Sequence, residues 1–228
     1  MSQHLIMIAT AVVAFLVGWL AARPTIRRLR AELADAAWSL AHDPLTGMFN
    51  RAGFSAAHTA LADSPQPVVI LLIDLDDLKP VNDTHGHGLG DDLLIEIGDR
   101  ITEAADMYGG TAARLSGDEF AVMLPVRDHD HHRVTDLFVA TIGRPVRLTT
   151  GDTPITVTVT ASIGATIAET TDPLNDVALR RADIAMYHAK RRGGNRYAIY
   201  EPGMAMPTGA PRRGPRLRDL HQRREVNS

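Results

Sequence analysis

The chain has 228 residues, a formal charge of −3 at neutral pH, 45% hydrophobic and 22% charged residues, and no cysteine. That length suits one globular domain with short extensions, and the apolar content is ample for a sizeable core. The absence of cysteine excludes disulfides, thiolate zinc sites and thiol nucleophiles, and the nearly balanced charge gives no reason to expect nucleic acid as a partner.

Leu5 to Ala22 reads LIMIATAVVAFLVGWLAA, eighteen residues without a charge, and Arg23, Arg27, Arg28 and Arg30 come directly after it. As a helix rising ~1.5 Å per residue, the run covers ~27 Å, about the hydrocarbon thickness of a bilayer. The basic residues stand after the run and not before it. A retained transmembrane anchor over residues 1–22, with the membrane as partner through residues 5–22, is therefore expected in preference to a cleaved signal. The positive-inside rule puts the chain beyond Arg23 in the cytoplasm, so the expectation is a single-pass inner-membrane protein.

Residues 23–42 read as a helical stalk, in which Ile26, Leu29, Leu33, Ala36, Ala37 and Leu40 recur at helical spacing. Such a stripe suits pairing with a second copy or packing on its own domain. His42-Asp43-Pro44 ends the helix, because a residue before proline avoids the helical region.

The globular part is expected over residues 43–200. VVILLIDLD, from Val68 to Asp76, is a continuous apolar run of strand length, which predicts a central strand buried on both faces. Leu89 to Met107 is a predicted helix with Leu93, Leu94, Ile97 and Ile101 on one side. Thr111 to Leu115 and Glu119 to Pro125 flank a glycine-containing turn and predict a hairpin. A helix over His131 to Ile142 comes next. A strand pair is expected over Pro145 to Thr149 and Ile155 to Ala161, then a helix over Asn175 to Arg191 and a last strand over Tyr197 to Tyr200. Strands and helices alternate without strict βαβ regularity, which predicts an α+β fold around a mixed or antiparallel sheet. Residues 201–228 are rich in Pro, Gly and Arg and are expected to be a disordered tail.

Three elements carry chemistry. Asp74 and Asp76 lie two apart on a strand and so face the same side. Carboxylates there need a cation, a basic partner or water, and hard oxygen donors at a strand end suit Mg²⁺. A merely solvated strand end is the alternative. The second element is Ser116-Gly117-Asp118-Glu119-Phe120. Gly117 supplies the backbone angles of a tight turn, and Asp118 and Glu119 project from its tip. Two acidic tips on adjacent strands make the arrangement that clamps metal ions for phosphoryl transfer. Third is KPVNDTHGHGLGD from Lys79 to Asp91, where Lys79, Asn82, Asp83 and Asp91 suit a base edge or phosphate. An Asn carbonyl with an Asp carboxylate can accept from guanine N–H groups, and three glycines let the backbone approach a ligand. The competing role is a Gly-rich loop that caps the next helix. His85 and His87, and the run Asp128-His129-Asp130-His131-His132, have metal-ligand chemistry, but a loop or a solvated helix start accounts for each.

The ordered series Asp43-Pro44-Leu45-Thr46-Gly47 with Asn50-Arg51, Asp74 to Lys79, Asn82-Asp83, Gly86 to Asp91, Ser116 to Phe120, Ser162-Ile163-Gly164, Ala182-Asp183 to Lys190, and Gly194-Asn195-Arg196 resembles the GGDEF family of diguanylate cyclases, across about residues 40–200. The resemblance implies a fold similar to nucleotide cyclases and the polymerase palm, with a mostly antiparallel sheet flanked by helices. It implies condensation of two GTP into cyclic di-GMP and pyrophosphate by a homodimer, with Mg²⁺ or Mn²⁺ as cofactor. Carried over by residue, Asp74, Asp118 and the Leu75 carbonyl would hold the metal. Asp118 would help activate the hydroxyl, supported by Glu119. Asn82 and Asp91 would read guanine, Lys79 and Lys190 would neutralise phosphate, and Ser116 and Gly117 would line the substrate.

The series departs from the family at three places. Ser116 stands where the signature begins with glycine, and Gly194 stands where many members carry arginine, so that Arg191, Arg192 or Arg196 would have to substitute. Met107-Tyr108-Gly109-Gly110 replaces the Arg-x-x-Asp of the product-inhibition site, which implies that no inhibitory site is present. Two other readings stand beside the cyclase. One is a catalytically silent module that binds GTP or a protein partner through the same fold and does not need the metal carboxylates. The other is another nucleotidyl cyclase or polymerase palm, which shares the two-carboxylate clamp.

Overall fold

The computed structural model describes residues 2–63, 66–126, 130–151 and 153–207. Within it a helix α1 (Ser2–Ala41) leads into α2 (Arg51–Ala60), β1 (Pro67–Asp76), α3 (Leu78–His85), α4 (His87–Met107), β2 (Thr111–Ser116) and β3 (Glu119–Pro125). Beyond these come α5 (His131–Ile142), β4 (Val146–Thr150), β5 (Thr153–Val157), β6 (Thr160–Glu169), a π-helical turn Leu174–Ala178, α6 (Leu179–Arg191) and β7 (Arg196–Ile199).

The apolar run expected to span a membrane is the N-terminal part of α1, which continues without a break through Pro24 and the arginines to Ala41. Among the described residues no helix is long and apolar enough to cross a membrane. This finding overturns the expected transmembrane anchor over residues 5–22, and with it the expected single-pass inner-membrane localisation. The apolar segment is one end of a single 40-residue rod whose other end is charged. The side chains of Ser2, Leu5, Ile6, Val17 and residues 9–13 lie outside the described set. So do residues 208–228, on which most of the expected disordered tail falls.

Five strands form one sheet in the order β2-β3-β1-β6-β7, antiparallel except for the β6-β7 pair. The α+β class and the mostly antiparallel sheet are therefore as expected. β1 is buried at eight consecutive residues because both of its faces are covered. Val69, Leu71, Ile73 and Leu75 pack with Leu93, Ile97 and Ile101 of α4 and with Phe138 and Ile142 of α5. Val68, Ile70 and Leu72 pack on the other side with Phe54 of α2 and with Leu179, Ala182 and Met186 of α6. A continuous apolar run is the signature of such a doubly covered strand.

Two expectations fail locally. The segment Ile155 to Ala161 is not one strand. β5 ends at Val157, and β6 starts at Thr160 and runs beside β1 to Glu169, while β4 and β5 form a separate two-stranded sheet. Strand propensity is high throughout that stretch, so nothing in the residue types marks the break. The expected loop before Leu89 is mostly helix, with α3 and α4 meeting at Gly86 (φ +87°). Pro80 in the first turn of α3 is the readable signal for a helix start.

Gly164 determines how closely α6 approaches the sheet. It sits opposite Leu72 on the α6 face, and a Cβ there would stand 1.9 Å from the Ala182 carbonyl oxygen and 2.3 Å from the Met186 nitrogen. Both neighbours are backbone, so neither can rotate aside. Gly164→Ala is expected to cost about 1–3 kcal/mol through overpacking, read as a lower urea midpoint with an unchanged denaturant slope.

Candidate active site

Strand parity brings the acidic groups together. Asp74 shares the α6 face with Ile70 and Leu72, and its neighbours in register are Glu119 on β3 and Ser162 on β6. Asp74 is 4% exposed, and its Oδ1 pairs with Nζ of Lys190 from the last turn of α6. Burial pushes the Asp74 carboxyl above the usual carboxylate range, and the negative charges of Asp118 and Glu119 add to that. Lys190 opposes the shift without cancelling it.

The tip of the β2-β3 hairpin stands over this strand end. Gly117 turns the chain at φ +45°, and the Leu75 N–H donates to the Asp118 carbonyl at 3.1 Å, which fastens the turn to β1. Ser116 Oγ donates to Glu119 Oε2 at 2.9 Å, a contact that glycine at this position would not make, and Arg51 at the start of α2 lies 4.0 Å from the same oxygen. Among the described residues, no group of three or more His, Asp or Glu side chains forms a metal site by itself. The donor set is a partial one: Asp74, Asp118 and Glu119 at two adjoining strand ends, with the Leu75 main chain between. A small hard cation that keeps several ligand places for waters and substrate phosphates fits that set.

Asp76 has a different place from the one its spacing suggested. Thr160 Oγ1 (2.8 Å), Ser162 Oγ (2.7 Å) and the Asn195 N–H (2.9 Å) all donate to it, so both of its oxygens are occupied. Gly194, at φ +68°, lies against this carboxylate; a Cβ would come 3.0 Å from Oδ2. Asp76 therefore anchors the loop after α6, which in turn fixes the end of the helix that carries Lys190. Of the arginines near Gly194, Arg196 donates through Nε to the Gly194 carbonyl at 3.0 Å.

The remaining predicted residues lie on α3 and α4. Lys79 is exposed in the first turn of α3. Asn82 and Asp91 are brought near each other, because the Asn82 carboxamide rests against Gly90, the residue before Asp91. Two features have no counterpart in the sequence reading. Arg51 reaches the acidic tip only through the packing of α2. The start of α3 has Asp77 in the left-handed region (φ +56°) and no side-chain cap. Free backbone N–H groups at such a turn make a ready anion site. His85 and His87 are exposed at the α3-α4 junction. Asp130 accepts from the His132 N–H at the start of α5, so this part of the Asp-His run is a helix cap, while residues 127–129 lie outside the described set.

A second network ties the hairpin to the end of α1. Arg114 Nη1 donates to Asp43 Oδ1 at 2.8 Å, and Arg114 Nε donates to the Gly117 carbonyl at 2.9 Å. Asp43 also accepts from the Thr46 N–H (3.0 Å) and Oγ1 (2.9 Å). Burial would raise the Asp43 carboxyl, but Arg114 and the Thr46 hydrogen bonds outweigh it and hold it below the ordinary value.

An acidic strand end and an acidic hairpin tip with a lysine against them, on a palm-like sheet, are groups suited to the chemistry of metal-assisted phosphoryl transfer. Residues 40–196 match the family model described as "Diguanylate cyclase, GGDEF domain", and the chain belongs to that family. It is 36% identical over 169 residues to the bifunctional diguanylate cyclase/cyclic di-GMP phosphodiesterase MucR of Pseudomonas aeruginosa, covering 72% of this chain and 24% of that protein. It is 36% identical over 179 residues to the diguanylate cyclase TpbB of the same species, covering 75% of this chain and 40% of that one. The chain thus spans well under half the length of these two relatives. Among solved structures, the coiled coil and GGDEF domain of DgcB from Caulobacter crescentus is similar at a TM-score of 0.70 and 25% identity, over 81% of this chain and 98% of that one. The GGDEF domain of TpbB is similar at 0.58 and 35% identity, over 70% and 94%.

The electrostatics set two expected outcomes. Asp43 has a lowered folded-state pKa, so its contribution to stability is full above the unfolded value of about 3.9 and is lost as pH falls through the folded value. Arg114→Ala is expected to cost about 2 kcal/mol at neutral pH by stranding a partly buried carboxylate. Asp43→Asn should flatten the corresponding part of the acid limb, both read by denaturant melts from pH 2 to 7. Asp74 has the opposite sign: its folded pKa is raised, so its stability contribution is fullest at low pH and is lost as pH rises through the folded value. Asp74→Asn is expected to be more stable than the parent at pH 7 in EDTA, by about 0.5–2 kcal/mol.

Proposed function

We propose that this chain is a diguanylate cyclase that condenses two GTP into cyclic di-GMP and two pyrophosphates. The observation that carries the proposal is the juxtaposition of Asp74, Asp118, Glu119 and Lys190, which a silent module has no need to keep. In each half-reaction the 3′-hydroxyl oxygen of one GTP bonds to the α-phosphorus of the other, the bond to the bridging oxygen breaks, and pyrophosphate leaves. Asp118 at the tip helps draw the proton from the attacking hydroxyl, and Glu119 supports the metal ligands. Lys190, which neutralises Asp74 in the free protein, is within reach of the phosphates and offsets their charge. Lys79 and the N–H groups opening α3 add to that offset. Asp74, Asp118 and the Leu75 carbonyl would hold Mg²⁺ or Mn²⁺, which when bound would draw charge from the reacting phosphate. Asn82 and Asp91 accept from guanine, while Ser116 and Gly117 leave the tip low enough for a nucleotide to lie across it.

Two GTP must meet face to face, so the working unit is a homodimer. α1 supports this: Ile26, Leu29, Leu33 and Leu40 are 41%, 52%, 70% and 75% exposed, and they recur at helical spacing as a helix–helix seam requires.

Incubating the full chain with GTP and Mg²⁺ and separating products by chromatography tests the proposal. Cyclic di-GMP is expected, and Asp118→Asn should reduce its formation by at least about a hundredfold. Because Met107 to Gly110 offer no charged group, added cyclic di-GMP should leave the initial rate unchanged. GTP left unconverted by the parent chain, or an equal rate in Asp118→Asn, overturns the cyclase assignment.

A further inference from the structure

Gly90 is the fourth residue of α4, buried, and its backbone is ordinary helix, so no unusual angle demands a glycine there. Alanine is favoured over glycine inside a helix. What excludes a side chain is the Asn82 carboxamide. A Cβ on Gly90 would stand 1.8 Å from Asn82 Oδ1, 2.9 Å from Cγ and 3.5 Å from Nδ2, and these are the three nearest atoms. The Cγ distance makes the conclusion independent of which way the amide is turned. Asn82 is in the last turns of α3, and its backbone carbonyl accepts from the Gly86 N–H at 2.8 Å. Gly90 is thus the floor on which the carboxamide rests, one residue before Asp91.

We propose that Gly90 is a specificity-determining residue of the nucleotide site, a positioning residue that fixes the Asn82 carboxamide beside Asp91 by having no side chain. This rests on the assignment of Asn82 and Asp91 to the guanine base. Any Cβ at residue 90 moves the carboxamide outward, because an asparagine terminus is free to swing while the helix backbone is not. The fold tolerates that movement, and the base site does not. Stability and base selectivity should therefore respond in opposite directions, which a simple packing role for glycine would not produce.

The test compares the full chain with Gly90→Ala, Asn82→Ala and the double variant, using GTP and ITP, which lacks only the 2-amino group of guanine. The readouts are kcat/KM for each nucleotide and the melting temperature. Gly90→Ala is expected to melt at or above the parent temperature, while its preference for GTP over ITP falls about tenfold, the worth of one hydrogen bond. The double variant should match Asn82→Ala, because both changes act on one carboxamide. A Gly90→Ala protein that melts lower or fails to fold overturns the inference, as does one that retains its GTP preference while Asn82→Ala loses it. If Asn82→Ala itself keeps the preference, the assignment of the base site falls and the inference with it.

Discussion

Asp74 is an ionisable group at the end of a strand buried along eight consecutive residues, and its pairing with Lys190 sets the demand that the neighbouring elements meet. A carboxylate this enclosed is costly unless a cation faces it. Supplying that cation requires α6 to end over the strand terminus. It also requires Gly164 to let the helix approach, and Asp76 to fasten the loop beyond. The like charges of Asp118 and Glu119 add to the cost of enclosing Asp74, and Lys190 offsets it only in part.

The two aspartates of β1 divide the work. They face the same side of the sheet, yet Asp76 is saturated by three donors from β6 and the α6-β7 loop, whereas Asp74 has Lys190. A carboxylate whose oxygens are fully engaged by hydroxyl and backbone N–H groups serves as a fixed joint. One facing a flexible lysine remains exchangeable, because the ammonium on its four-carbon stem can swing away from it. The hairpin tip obeys the same logic. Its acidic side chains face the site, while its backbone is tied to β1 through Leu75 and to the end of α1 through Arg114 and Asp43. The stalk helix and the acidic turn are therefore one mechanical unit, joined by a half-buried ion pair.

The central strand, the β2-β3 hairpin and the helices carrying Leu93 and Lys190 were legible because each has an unbroken local signal: an apolar run, a glycine turn or a helical stripe. The break between β5 and β6, the helix α3 and the packing of Arg51 were not. Threonine and valine fill both sides of the break alike, the Asn82 region carries turn-forming residues that outweighed its first-turn proline, and Arg51 acquires its partner only from a distant turn. The apolar N-terminal run misled for a related reason. Its eighteen uncharged residues match a bilayer in length, yet they are one end of a 40-residue helix, and among the described residues no helix is long and apolar enough to cross a membrane.

The residues alone determined the family, the class of fold and the set of acidic groups, because local pattern and residue chemistry are carried by the chain itself. Tertiary structure decided which carboxylate faces a cation and which is a joint, that Ser116 holds Glu119, and that the glycine before Asp91 makes room for Asn82. These depend on strand register and on distances of a few tenths of an ångström between segments far apart in sequence. Such distances are set by the packing of the whole core, and no local pattern encodes them.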